Sequence, residues 1–70
     1  MTRDELLTIA RLVRTSSRAM GDLVIVCREL PMDERERWIT RCGKVLGAIY
    51  EQFIAPLHAL DPELFPELKK

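Results

Sequence analysis

What this 70-residue chain lacks narrows its chemistry before any pattern is sought. It carries one histidine, two cysteines and no net charge, its eleven basic residues matching eleven acidic ones. Neither CxxC nor HxxxH spacing occurs, so the donor sets of zinc sites are missing. No metal and no cofactor are expected. Charge balance removes any overall pull toward nucleic acid or an anionic membrane, leaving only local patches to consider. It also removes a barrier to self-association. The longest apolar run, Leu23-Val24-Ile25-Val26-Cys27, is far short of the roughly 20 residues that cross a bilayer. The polar start Thr2-Arg3-Asp4-Glu5 has neither the basic stretch nor the apolar block of a signal peptide. A cytoplasmic protein without membrane attachment is expected.

What is present is helical. Thr2 and Glu5 have capping-box spacing, and Asp4 and Glu5 suit the positive end of a helix dipole. Leu6, Ile9, Val13, Ser16, Met20, Leu23, Cys27 and Leu30 then recur at steps of three and four, an apolar stripe broken only by Ser16. Pro31 stops it by pushing the preceding residue out of the helical region. Asp33 and Glu36 repeat the capping spacing, and a second stripe follows through Ile39, Cys42, Leu46, Ile49 and Phe53, widened by Trp38, Val45, Tyr50 and Leu57. Asp61-Pro62 reads as a third start, with Asp at the cap and Pro in the first turn. The fold class is therefore all-α: one helical-hairpin domain over residues 1–70. Its elements are a helix over about 3–30, a turn at 31–33, a second helix over about 34–55, and a short helical turn over about 62–65. Pro56 either ends the second helix or kinks it on its way to 60. Lys69 and Lys70 should fray.

Two long helices joined by a short turn run antiparallel. A turn centred near residue 32 sets Ser17 opposite Gly47 and Gly21 opposite Gly43, small residues that would let the backbones approach closely. In this register Cys27 and Cys42 are out of level, so both are expected to pack as reduced, apolar side chains. His58, the lone histidine, projects to the polar side as a solvated residue. Ser16 and Ser17 have no base in helical register, and Gly43-Lys44-Val45-Leu46-Gly47 lies within a helix, without the preceding strand of a phosphate loop. No catalytic residues are assigned, and an enzyme is not expected.

The apolar arcs span roughly 200° on the first helix and 180° on the second, where one neighbour needs only about 100°. A hairpin alone leaves apolar surface over. A homodimer forming a four-helix bundle would bury it. Its candidate helix-packing and oligomer core is Ile9, Val13, Met20, Leu23, Val24 and Cys27 with Trp38, Cys42, Leu46, Ile49 and Phe53. Two basic stripes, Arg11, Arg14, Arg18 and Arg37, Arg41, Lys44, form a candidate surface for docking a second protein partner. Pairing of Arg18 with Asp22, and of Arg37 with Asp33 or Glu34, would partly neutralise them. The expectation is a small interaction module or regulatory adaptor acting as a homo-oligomer. The alternatives are a nucleic-acid-associated regulator using those stripes and a purely structural assembly subunit.

Overall fold

Helix α1 (Arg3–Cys27) starts where its cap chemistry dictates. The Thr2 hydroxyl accepts the Glu5 N–H at 3.1 Å, and the Glu5 carboxylate accepts the Thr2 N–H at 2.7 Å. In this computed structural model, which describes residues 1–68, every regular element is a helix or helical turn. The chain is an all-α hairpin.

α1 stops at Cys27 instead of running to residue 30. Pro31 disfavours helix at Leu30, and the end tightens: Glu29 N–H reaches the Val26 carbonyl at 3.0 Å and Leu30 N–H that of Cys27 at 3.1 Å. α2 (Met32–Ile49) begins at once. The extended Pro31 occupies its cap position, and its carbonyl accepts the N–H groups of Glu34 and Arg35 at 3.0 and 2.8 Å. Asp33 thus lies in the first turn and caps nothing, contrary to the capping pattern. The Arg35 guanidinium donates to the Leu30 carbonyl at 3.3 and 3.2 Å, tying the turn to α2.

Pro56 neither ends nor breaks the second arm. The helix widens into a π-helical turn over Tyr50–Ile54, where Ala55 N–H reaches the Tyr50 carbonyl, and continues as α3 (Ala55–Leu60). Proline offers no N–H to the carbonyl four residues back and its ring crowds that carbonyl; the wider turn relieves both. Asp61 then turns the chain, its carboxylate accepting the Glu63 N–H at 3.0 Å. Two 3-10 turns, Pro62–Leu64 and Pro66–Leu68, form a tail. Lys69 and Lys70 lie outside the described residues.

The tail folds back over the open end of the hairpin. Phe65 and Leu64 are the largest fully buried side chains, and with Ala10, Val13 and Leu57 they make the main core, flanked by Leu6, Ile9, Ile49 and Ile54. At the turn end only Cys27 and Cys42 are buried. The molecule measures 46 × 21 × 17 Å, with a radius of gyration of 14.4 Å against about 11 Å for a compact domain of this length.

Candidate functional site

The register decides which surfaces are free. Cys27 and Cys42 are both buried, and Cys42 lies near enough to act on the Cys27 thiol, whereas the expected register sets Cys27 level with Arg37. Ser17 lies beside Tyr50 and Ile54, not Gly47. The arms are slid by about five residues from the expected register, and the turn occupies residues 28–31.

The close-approach reading of the small residues fails with that register. A methyl group built on Gly21, Gly43 or Gly47 would meet nothing within 4 Å, and Gly43 and Gly47 are exposed. They do not let the two arms approach. Ser17 is half-buried at the edge of a cleft under the tail, with Arg14, Tyr50 and Phe65.

The slid register sorts the candidate core residues into two groups. Val13, Cys27 and Cys42 are buried, and Ile9, Met20, Val24, Leu46 and Ile49 are half-buried between the arms. Leu23, Trp38 and Phe53 stay exposed, at 45%, 44% and 50%. Of this helix-packing and oligomer set, these three do not pack between the arms of the single hairpin but lie on its outer surface. For Phe53 the cause is local. The π turn inserts about one extra residue per turn, so an apolar stripe extrapolated at 3.6 residues per turn goes out of phase there, and Ile54 and Leu57 meet the core instead.

These exposed side chains share one side. A shallow groove of about 310 Å³ runs between the arms and is lined by Ile9, Leu12, Val13, Ser16, Ile49 and Phe53. At about 100° per residue, Leu23 and Val26 continue the Leu12 side of α1, and Trp38 and Val45 continue the Ile49 side of α2. On α1 this side carries no charge between Glu5 and Glu29. The Arg41 guanidinium stands 4.7 Å from the Trp38 ring centre, screening one of its faces. The tail covers the opposite side of the hairpin, where Arg14, Arg18 and Tyr50 border it.

No family model, curated protein or solved structure matches this chain.

The basic residues separate by role. Arg14 is committed to the tail: it forks onto the Glu67 carboxylate at 3.1 and 3.0 Å, donates to the Leu64 carbonyl, and lies 5.0 Å from the Phe65 ring centre. Its hydrogen bond holds the Glu67 carboxyl below the ordinary glutamate range. Arg14 is therefore a structural clamp and not a free docking residue, a role hidden by 53 residues of separation from Glu67. Arg3 pairs with Asp61 at the same open end. Arg11 and Arg18 sit on the edge of α1 turned from α2, while Arg37 and Lys44 sit on the far edge of α2. The two stripes do not merge into one surface. Neither Arg18 nor Arg37 makes an ion pair among the described residues, so the pairings expected from spacing are not formed.

His58 also departs from expectation. Its Nε2 is closed off from solvent and has no hydrogen-bond partner among the described residues, because the second arm continues past Pro56 with its phase altered by the π turn.

Proposed function

We propose that this protein is a non-enzymatic interaction module that works as a homodimer, two hairpins joining through the uncovered apolar side into a four-helix bundle. The observation that carries the reading is the strip of Leu12, Leu23, Val26, Trp38, Val45 and Phe53, each 44–60% exposed on one side of the hairpin. A monomer of 8.1 kDa exposes about 4,500 Å² by the size scaling of globular proteins, whereas this chain exposes 5388 Å². The excess of about 900 Å² is close to the roughly 800 Å² that each partner places in a standard interface. Zero net charge leaves no long-range repulsion against a second copy. Four antiparallel helices would also supply each arm with the second neighbour that its wide apolar arc requires.

Light scattering across micromolar concentrations tests this. The wild type should show twice 8.1 kDa, and Leu23→Glu with Val45→Glu should shift it to the single-chain mass while keeping the helical circular dichroism signal. A wild type that remains a folded single chain at high micromolar concentration refutes the proposal.

A further inference from the structure

We propose that Cys27 and Cys42 form a redox-active dithiol that closes to an intramolecular disulfide under a peroxide oxidant, stapling the turn end of the hairpin. The two are 5% and 3% exposed and lie outside the main core cluster. Across residues 14–56 they are the only buried side chains. With no other fully buried side chain in this stretch, the two thiols are shielded where the arms meet, with Cys42 near enough to act on Cys27. This pair is the second core of the molecule.

Burial, and then the neighbouring Cys42, push the Cys27 thiol up, so the closed hairpin holds that thiol protonated and slow to react. Reaction proceeds through opening of the turn end, where Met20, Val24 and Leu46 are only half-buried. One sulfur, as thiolate, attacks a peroxide oxygen. The O–O bond breaks, leaving a sulfenic acid and a water that carries the thiol's proton. The second sulfur then attacks the sulfenic sulfur, forming the S–S bond and expelling the hydroxyl as water with the second proton. Two thiols and one peroxide give one disulfide and two waters; the sulfurs lose the two electrons that the peroxide gains. The bond closes the segment from Arg28 to Arg41, which contains the Pro31 turn and Trp38. Restricting that segment in the unfolded chain favours the folded hairpin. The inference does not depend on dimerisation.

The full chain is treated with hydrogen peroxide, alkylated and weighed intact, then digested with trypsin. The expected product is a single-chain species lighter by two hydrogen atoms, with peptide Ala19–Arg28 joined to Cys42–Lys44. Its urea midpoint should rise and return on adding a thiol reductant. Disulfides only between chains, sulfinic or sulfonic acids on separate peptides, or an unmoved midpoint would each overturn the proposal. Cys27→Ala and Cys42→Ala serve as controls, because Met20 can also be oxidised. A peroxide-induced rise in either variant would remove the disulfide as its cause.

Discussion

Replacing Phe65 by alanine should cost this protein a large share of its stability, although the residue lies only five positions from the end of the chain. Phe65 is 1% exposed and packs in the main core with Ala10, Val13 and Leu57. Truncating a fully buried phenylalanine costs about 3–5 kcal/mol, the lost transfer free energy adding to the cavity left behind. At ~0.05–0.15 kcal/mol per residue, a chain of 70 residues has about 3.5–10 kcal/mol in all. The substitution therefore removes between a third and the whole. It also deprives Arg14 of the ring beneath it and frees Leu64 and Glu67 to leave with the tail. Urea unfolding followed by far-ultraviolet circular dichroism measures the loss. Phe53→Ala is the comparison, since Phe53 is 50% exposed and lies on the uncovered side. Its effect on the single chain should be below about 1.5 kcal/mol, half the smaller cost for a fully buried ring. If Phe65→Ala shifts stability by less than Phe53→Ala, the tail is not docked as described and the open-end core is wrong.

Other outcomes follow from the same contacts. Gly47→Ala, and separately Gly43→Ala, should stabilise by about 0.5–1 kcal/mol because alanine is the better helix former and the added methyl meets nothing; a loss of stability in urea would restore the close-approach register. The depressed Glu67 carboxyl contributes stability that is present above the ordinary glutamate range and is lost as pH falls through its lowered folded value. Glu67→Gln should accordingly lower the urea midpoint at neutral pH and leave it nearly unchanged in strong acid, and an equal effect at both pH values would refute the ion pair. Arg14→Met keeps an apolar stem over Phe65 while removing the fork, so it should weaken tail docking less than Arg14→Glu, which sets a second carboxylate against Glu67. Limited proteolysis after Leu64 would read that order, and equal cleavage of the two variants would contradict it.

Much of this fold is legible in the residue order. The Thr2–Glu5 box, the apolar repeat from Leu6 onward and the proline at 31 each act within a few residues, and α1 and its stop follow from them to within a turn. Asp61-Pro62 acts equally locally and starts the tail as its chemistry requires. By contrast, how α2 begins depends on Pro31 taking the cap position before Asp33 can, a competition between two adjacent local signals.

Local signals do not reach the register of one arm on the other. A shift of the arms preserves every helix and every stripe, yet it moves Cys27 from beside Arg37 to beside Cys42 and turns Gly43 and Gly47 to solvent. Nor does an uninterrupted 3.6-residue repeat anticipate the π turn at Tyr50–Ile54, which exposes Phe53 while Leu57 reaches the core and the Nε2 of His58 is shut from solvent. Residue order alone implies two amphipathic helices with more apolar surface than a pair can share. Which part of that surface stays open is set by packing across the fold, because the docking of Leu64 and Phe65 and the clamp of Arg14 on Glu67 join residues about 50 positions apart. Such contacts depend on three-dimensional packing, and no local propensity encodes them.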